Sequence, residues 1–208
     1  MAHILAEAVI TLFPNAKPTI GPFIKNGFYY DFDMESTLSD DDLANIEKKM
    51  KEILLEGRDF LKRAVTKKEA SEIFKDNKYK LELINNLDNS DEITLYEQKN
   101  FTDLCKGPHH KSTKDYNASF KITNVSGAYW RGISTNKMLQ RIYATAWYSE
   151  KELRVYLKNL EEAKERNHRR LGTDMGLFLL TDLSAGNVFW KDKGLTLYQN
   201  IEKYIRSE

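Results

Sequence analysis

The spacing of apolar residues predicts a helix at the start of the chain and a hairpin soon after it. Apolar side chains recur at three- and four-residue intervals from Ile4 to Leu12, and Pro14 ends the pattern. Further along, Asn26-Gly27 separates two runs of strand-forming residues. This dipeptide between extended runs is a strong signal for a hairpin turn.

Helical and extended patterns alternate through the middle of the chain. Ser39 precedes three aspartates, which predicts a helix N-terminus, and Gly57 ends the apolar stripe that follows. Short helices are predicted over about 68–74 and 79–87, and strands over about 60–65, 92–97, 118–125 and 137–148. The strand patterns mix alternation with continuous apolar runs, so we expect a sheet that is covered on one face by helices.

A third region begins with a capping box at residues 149–152, which predicts the start of a long helix. The apolar face of this helix is lost after residue 163, and Gly172 is expected to end it. A helix that loses its core-facing stripe midway is typical of a bridge between domains. Residues 173–208 are too few for a domain with its own core, and they include another amphipathic helix over about 195–205.

Composition narrows the class of protein. The 208 residues, 41% of them hydrophobic, suffice for a folded core and exclude disorder of the whole chain. Lys and Arg number 32 against 31 Asp and Glu, so no global basic field indicates a nucleic-acid partner. The single cysteine, Cys105, forbids an internal disulfide and favours a reducing compartment. No apolar run approaches the roughly 18 residues of a membrane span. We therefore expect a soluble cytoplasmic protein without a membrane partner.

Chemically active side chains are concentrated in one short segment. Cys105 and His109 are four residues apart, but Pro108 between them breaks a regular helix, so a tight loop would bring the thiol and the imidazole together. Asp103 alternates with Cys105 and would point the same way on a strand, and Lys106 adds a cation. The segment thus offers an acid, a soft nucleophile or metal ligand, a base and a cation. A buried structural cysteine beside a surface histidine is the alternative.

Other candidate residues are ambiguous when their local patterns are taken alone. His3 and Glu7 lie four residues apart on a flank of the first helix, where a lone histidine is more often packed or solvated than a ligand. Lys80 fits a polar position on a small helix, and Tyr30 fits a strand. No GxGxxG, Walker loop, GxSxG or HExxH motif occurs, so classical nucleotide binding and serine hydrolysis have no direct support.

Several motifs together resemble the threonyl-tRNA synthetases in order and spacing. They are HILAEAV, GPFIKNGFYYDFD, FTDLCKGPH, GAYWRG, MLQRIYATAW and KERNHRRLG. The resemblance implies an α+β editing domain over 1–148, in which helices pack on a mostly antiparallel sheet. It further implies a linker helix over 149–172 and the truncated start of a class II catalytic domain over 173–208. Alanyl-tRNA synthetases share the His/Cys pattern but lack this set of motifs.

The activity that the resemblance implies is proofreading. Serine is threonine without one methyl group, and a pocket distinguishes one such group by only about 1–3 kcal/mol. A second, smaller site would therefore hydrolyse seryl-tRNA(Thr). The full-length enzyme would attach threonine to tRNA(Thr) with ATP in translation. ATP, magnesium, zinc and the homodimer contact would belong to the absent catalytic domain, so this chain alone is expected to need no cofactor and to have no ligase activity.

The editing site of the family combines an HxxxH helix with a CxxxH loop, which meet across a cleft. His3 matches the second histidine of that helix, and Cys105 and His109 match the loop pair. The first histidine would fall before the chain begins, so we expect a piece of a longer protein. Further residues that match the family pocket are Asp103, Lys80 and Tyr30. A cysteine and two histidines would suit Zn²⁺, as in the alanyl relatives, but the threonyl family is thought to use these side chains directly. No metal is therefore expected.

The acceptor end of tRNA(Thr) is the expected partner. The basic residues expected to contact it around the cleft are Lys106, Arg131 and Arg141. Two other functions stay open: a free-standing trans-editing deacylase or metal-dependent hydrolase, and a non-catalytic tRNA-binding module. Residues 173–208 argue against the first, and the Asp/Cys/His cluster argues against the second. An α+β domain without activity is the remaining alternative, and the identity of the general base is open.

Overall fold

The structure is a computed structural model, and it describes residues 1–88, 92–99, 101–116, 118–184 and 186–207. It divides into two compact units, Met1–Leu153 and Arg154–Glu208. The division of the chain at residues 148 and 172 stays a prediction, and the predicted tail includes residues 185 and 208, which lie outside the described residues. None of the described helices combines the length and the hydropathy that crossing a bilayer requires.

Helices and strands alternate along the first unit. Its helices are α1 (Ala2–Leu12), α2 (Asp40–Leu55), α3 (Lys67–Ile73) and α4 (Lys78–Asn85). Its strands are β1 (Lys17–Pro18), β2 (Phe23–Ile24), β3 (Gly27–Asp33), β4 (Leu61–Val65), β5 (Ile93–Gln98), β6 (Phe101–Leu104), β7 (Ser119–Tyr129) and β8 (Met138–Trp147). Helix α5 (Glu150–Glu165) crosses the boundary between the units. The α+β class predicted from the sequence is confirmed.

The strands of the first unit form two antiparallel sheets, where the sequence predicted one. The larger sheet has the order β1-β3-β8-β7, with β2 paired to β3. The smaller sheet has the order β4-β5-β6. The sequence does not reveal this division, because alternation of apolar residues identifies a strand but not its partner. Strand pairing is set by contacts between residues that are distant in sequence. Strand β6, which carries Asp103, pairs with β5 and had been predicted only as a local alternation.

Helix α1 is the most deeply buried element. Every residue from His3 to Val9 is buried, because α1 packs against both α2 and the larger sheet. The sequence predicted one apolar face, but the helix is enclosed on all sides, and its polar residues His3 and Glu7 are enclosed with it. These two residues therefore need partners inside the protein.

The predicted ends of several elements are confirmed. Ser39 and Asp42 form a reciprocal capping box at the start of α2, and Gly57 follows its end with a φ of +66°. The turn between Ile24 and Gly27 closes the predicted hairpin. Ser149 and Glu152 make the predicted capping box at the start of α5.

The prediction of a single linker helix over 149–172 is wrong in one respect, because the structure has two helices in this region. Helix α5 ends at Glu165 and α6 (His168–Asp174) follows it. The side chain of Asn167 caps α6 by accepting a hydrogen bond from the backbone N–H of Arg169 at 2.9 Å. Asparagine favours this capping position over a helix interior, so it starts a new helix here. Gly172, predicted to end the helix, lies inside α6 against the ring of Phe178.

The second unit has little core. It contains α6, a pair of short strands, β9 (Phe178–Leu179) and β10 (Phe189–Trp190), and helix α7 (Asp192–Ser207). Helix α7 contains the predicted helix over 195–205. Of the side chains described in this unit, no large apolar one is buried, which agrees with the prediction that the segment is too short for its own core.

Candidate active site

The fold brings together side chains from distant parts of the chain. They come from α1, β3, α4, β6 and the loop after β6. The residues concerned are His3, Tyr30, Lys80, Asp103, Cys105 and His109. These are the residues predicted as catalytic or substrate-binding, and all of them lie in one cluster.

A buried carboxylate lies at the centre of the cluster. The side chain of Asp103 accepts a hydrogen bond from the Tyr30 hydroxyl at 2.6 Å and one from the Lys80 ammonium at 2.5 Å. The Nε2 atom of His3 lies 3.4 Å from the same carboxylate, which is only 3% exposed. Burial raises the pKa of Asp103, but the charge of Lys80, the electrostatic interaction with His3 and the hydrogen bonds from Lys80 and Tyr30 outweigh it, so the pKa is lowered overall. Asp103 is therefore ionised at neutral pH.

Lys80 is a buried cation and not a surface residue, in contrast to what its local pattern alone favours. It is 2% exposed, and its ammonium contacts both the Asp103 carboxylate and the Tyr30 hydroxyl, the latter at 3.2 Å. Asn77 sets the start of α4 because its side chain accepts the backbone N–H groups of Tyr79 and Lys80. The cap thereby fixes the turn that directs Lys80 inward.

Tyr30 is held equally firmly. Burial, and then the charge and hydrogen bond of Asp103, raise its pKa well above the usual value, so Tyr30 keeps its proton. A Cβ atom on Gly21 would lie 2.1 Å from the Tyr30 ring, so only glycine allows the preceding loop to approach this closely. Tyr30, Lys80 and Asp103 thus form a rigid polar floor.

The loop after β6 brings the thiol and an imidazole together, as predicted from Pro108. Cys105 Sγ lies 3.1 Å from Nε2 of His109 and accepts a hydrogen bond from the backbone N–H of Gly107 at 3.4 Å. Gly107 has a φ of +72°, and a Cβ atom there would lie 2.1 Å from the Tyr96 hydroxyl. The turn therefore requires glycine at this position.

The two imidazoles lie side by side. The ring centroids of His3 and His109 are 4.4 Å apart, and His109 also packs on Tyr96 at 4.3 Å and on Phe60 at 5.9 Å. Burial lowers the pKa of His3 to about 4, although Asp103 opposes the shift, and burial also lowers the pKa of His109. Both imidazoles are therefore neutral at pH 7. The Nδ1 atom of His3 is buried and has no hydrogen-bond partner among the described residues.

The thiol of Cys105 is not activated as a nucleophile. Burial raises its pKa, so the group is a thiol at neutral pH. The neighbouring His109 is neutral and cannot supply the positive charge that stabilises a thiolate. The pair is thus a neutral thiol hydrogen-bonded to a neutral imidazole, which suits the positioning of a water or a substrate hydroxyl.

Three of these side chains could also hold a metal ion. The potential ligand atoms of His3, Cys105 and His109 all lie within 4.8 Å of one another. Two nitrogens and one sulfur are donors that Zn²⁺ accepts, and an open fourth position is typical of catalytic zinc. The donor set therefore fits three of four ligands, with no fourth protein ligand in the group.

A cleft of about 700 Å³ opens beside the cluster, a size typical of small-molecule sites. Its polar lining includes five of the six site residues, all except His109. Its apolar lining consists of Ile20, Pro22, Leu83, Leu87 and Ile93. Two exposed lysines, Lys62 and Lys106, also line it. Lys62 is absent from the sequence prediction, because its position on a polar strand gave no signal.

Two of the residues predicted to contact nucleic acid are engaged elsewhere. Arg141 makes a two-pronged hydrogen bond to the buried Asp31, at 2.7 and 2.8 Å, and lies over the Tyr29 ring. Arg131 pairs with Glu82 at 3.0 Å. Neither arginine lines the cleft, whereas the third predicted residue, Lys106, does.

Comparison with known proteins finds the same resemblance as the motifs. Residues 93–143 match the model of the "Threonyl and Alanyl tRNA synthetase second additional domain", which covers β5 through most of β8 and includes the Cys105 loop. The threonine–tRNA ligase of Wolbachia sp. subsp. Brugia malayi is 50% identical over 209 residues, which cover all of this chain and 33% of the relative. That of Borrelia duttonii is 49% identical over 210 residues, covering all of this chain and 36% of the relative.

A third relative, the threonine–tRNA ligase of Ehrlichia canis, is 49% identical over 209 residues, again covering all of this chain and 33% of the relative. The chain spans about a third of the length of these curated relatives. The resemblance to the threonyl-tRNA synthetases is therefore confirmed, and the chain corresponds over its whole length to one segment of those enzymes.

Proposed function

We propose that this chain hydrolyses the ester bond of seryl-tRNA(Thr), the mischarged product of a threonine–tRNA ligase. The observation that carries the proposal is the cleft itself, where the neutral His3 imidazole and the Cys105 thiol lie beside the ionised polar floor. The neutral His109 imidazole contacts both the thiol and the His3 ring. The similarity to threonine–tRNA ligases supplies the substrate class. An enzyme that selects threonine needs such a second site, because one methyl group gives too little discrimination in a single binding step.

The chemistry requires a base, and the site offers two. A water attacks the ester carbonyl, a base takes the proton of that water, and the bond to the ribose oxygen breaks as this oxygen takes up a proton. His3 and His109 are both neutral because burial lowers their pKa values, so each is able to accept the proton. The Cys105 thiol, hydrogen-bonded to His109, holds that ring in place.

Selection of serine over threonine follows from the rigidity of the floor. Tyr30, Lys80 and Asp103 are buried and bonded to one another, so they cannot move aside without breaking those bonds. Adding one methyl group to a closely packed site costs about 1–3 kcal/mol. We propose that the serine hydroxyl contacts this floor and that the methyl group of threonine collides with it.

The lysines on the cleft are the proposed contacts for the acceptor end of tRNA(Thr). Lys62 and Lys106 are exposed, and neither forms an ion pair within the part of the chain that the structure describes. Cationic side chains of this kind bind phosphates, and the apolar residues that line the same cleft suit the flat face of a base. The net charge of +1 means that this binding is local and not a property of the whole surface.

We propose that the side chains act directly, without a metal. Cys105 Sγ and His109 Nε2 are hydrogen-bonded to each other, and His3 Nε2 faces Asp103, so each would have to give up a contact to become a ligand. A longer protein that contains this segment would attach threonine to tRNA(Thr). ATP, magnesium and zinc would serve that reaction outside this chain.

A deacylation assay that compares substitutions of two adjacent histidines tests the proposal. The chain is incubated with seryl-tRNA(Thr), alongside the His109→Asn and His110→Asn variants. His110 is exposed and, among the described rings, contacts only that of Tyr116, so it is a matched control. We expect His109→Asn to lose at least about tenfold in rate, because it removes one of the two candidate bases and the partner of the Cys105 thiol, and His110→Asn to stay within twofold. A wild-type rate equal to that in buffer, or equal losses in both variants, would contradict the proposal. A chelator should leave the rate unchanged, and a loss that zinc restores would indicate a metal centre.

A further inference from the structure

A second buried carboxylate lies one helical turn after His3. Glu7 on α1 is 6% exposed and does not line the cleft. One of its oxygens pairs with the guanidinium of Arg58, and the other accepts a hydrogen bond from the side-chain amide of Gln98 at 2.5 Å. Gln98 is only 1% exposed and the Arg58 side chain is 12% exposed, so the carboxylate and its amide partner are enclosed. The proposed reaction, as described so far, does not use it.

The partners of Glu7 belong to the same two segments that hold His109. Gln98 lies two residues after Tyr96 on β5, which places both side chains on one face of the strand. Arg58 lies two residues before Phe60. Tyr96 and Phe60 are two of the rings that pack on His109. Glu7 therefore binds both segments. In each of them, the residue that it binds lies two positions from an aromatic residue whose ring contacts His109.

Arg58 is itself tied to the chain that follows His109. Its backbone N–H donates to the Thr113 hydroxyl at 2.8 Å, and its backbone carbonyl accepts from the Thr113 N–H at 2.7 Å. The Phe60 N–H donates to the carbonyl of Lys111 at 2.8 Å. The segment around Arg58 therefore moves with the loop that carries His109.

We propose that Glu7 is a positioning residue, which binds α1 to both segments that hold His109 and so sets the separation between His3 and His109. The inference rests on the proposed function for its kinetic consequence, but its geometric part does not. Without the carboxylate, α1 would still pack through Ile4, Leu5 and Val9, because these apolar side chains are fully buried. Apolar contacts are not directional, so they resist a sliding motion of α1 along its own axis less than hydrogen bonds and ion pairs do. The His3 ring would therefore lose its fixed distance from His109.

Glu7→Gln is the principal variant, because glutamine keeps the size of the side chain and removes its charge. Glu47→Gln is the matched control. Glu47 is also a buried helical glutamate, on α2, and it binds Lys51, Lys121 and the backbone N–H of Ile122. Among the described residues, none of these partners belongs to the site, so the variant reports the cost of neutralising a buried glutamate alone. Glu7→Ala is a second, stronger variant.

Two measurements decide the proposal. In histidine-labelled protein, the nuclear Overhauser effect between the His3 and His109 rings reports their 4.4 Å separation without any substrate. The chain has four histidines, so the signals can be assigned by substitution. In the deacylation assay, kcat and KM for seryl-tRNA(Thr) are measured separately. We expect Glu7→Gln to lose most of the ring-to-ring signal and at least tenfold in kcat, with KM within twofold, and Glu7→Ala to lose more.

The outcomes separate this inference from the proposed function. Glu47→Gln should keep the ring-to-ring signal and kcat. A folded Glu7→Gln variant with the wild-type signal would overturn the inference, and so would equal losses in Glu47→Gln. A loss of kcat without a loss of the signal would also overturn it. If the wild-type chain does not hydrolyse seryl-tRNA(Thr), the proposed function fails, while the ring-to-ring signal of Glu7→Gln still decides whether Glu7 positions His3.

Discussion

The buried pair of Lys80 and Asp103 leads to a sharp prediction about stability and activity. We consider the variants Lys80→Met and Asp103→Asn, alone and combined. Methionine keeps most of the volume of lysine, and asparagine keeps an oxygen that accepts the Tyr30 hydroxyl. Each single variant leaves one buried charge without its counterion, whereas the double variant removes both charges.

The expected magnitudes follow from burial. Lys80 and Asp103 are 2% and 3% exposed, so neither charge is screened by solvent when the other is removed. Breaking a buried pair by removing one partner costs about 3–5 kcal/mol. Replacing both charges with neutral groups of similar volume is often close to neutral, so the double variant should be within about 2 kcal/mol of the wild type. The sum of the single costs should therefore exceed the cost of the double variant by at least about 4 kcal/mol, which is the coupling between the two sites.

Urea unfolding of all four proteins measures this coupling, since the change in midpoint gives the change in free energy of unfolding. The deacylation assay is run on the same samples. We expect the double variant to be folded but inactive, because the floor of the cleft has lost its charges. Single variants that each cost less than about 1 kcal/mol, or a double variant whose cost is the sum of the two, would refute the reasoning.

Further predictions concern the thiol, acid conditions and salt. Cys105→Ala should slow seryl-tRNA(Thr) hydrolysis at least tenfold while changing the free energy of unfolding by about 1 kcal/mol or less. If deacylation and urea unfolding, measured on the same samples, show a larger effect on stability than on rate, the cysteine has a packing role. His3 is buried with a pKa of about 4, against 6.5 when exposed, so the unfolded chain takes up a proton that the folded chain does not. Stability should therefore fall by up to about 3 kcal/mol as the pH decreases from 6.5 to 4, and urea midpoints that stay constant over this window would contradict the burial of His3. Binding of tRNA(Thr) should weaken as the salt concentration rises. In filter-binding titrations, Lys62→Gln and Lys106→Gln should each reduce the magnitude of the slope of log K against log salt by about 0.7–0.9. Unchanged slopes would exclude these contacts.

Local signals in the sequence predicted most elements of the fold. The capping boxes at Ser39 and Ser149 and the Asn26-Gly27 turn each act over a few residues, so the sequence pattern reports them directly. Strand pairing depends on distant contacts, which is why two sheets were predicted as one. The break at Asn167 was missed because its surroundings are polar on both sides, and only the cap itself marks the new helix.

The candidate site was predictable in part for a similar reason. Pro108 forces a turn between Cys105 and His109, so their proximity follows from local chemistry. The burial of Lys80 does not, because the side chain is drawn inward by Asp103, which is distant in sequence. Only the resemblance to the threonyl-tRNA synthetases indicated that Lys80 and Asp103 belong to the same pocket. The sequence placed Glu7 beside His3 on the first helix but did not indicate its partners, because Arg58 and Gln98 come from separate segments.

The most direct test of the account compares seryl-tRNA(Thr) and threonyl-tRNA(Thr) side by side, with the chain in catalytic amounts and the ester bond followed over time. A second site that admits serine and disfavours threonine should hydrolyse the seryl ester at least about 100-fold faster than buffer. It should hydrolyse the threonyl ester about 5- to 150-fold more slowly than the seryl ester, as a cost of about 1–3 kcal/mol for the extra methyl group implies. Equal hydrolysis of both esters, or hydrolysis of neither by the folded chain, would contradict the claim that this cleft is an editing site.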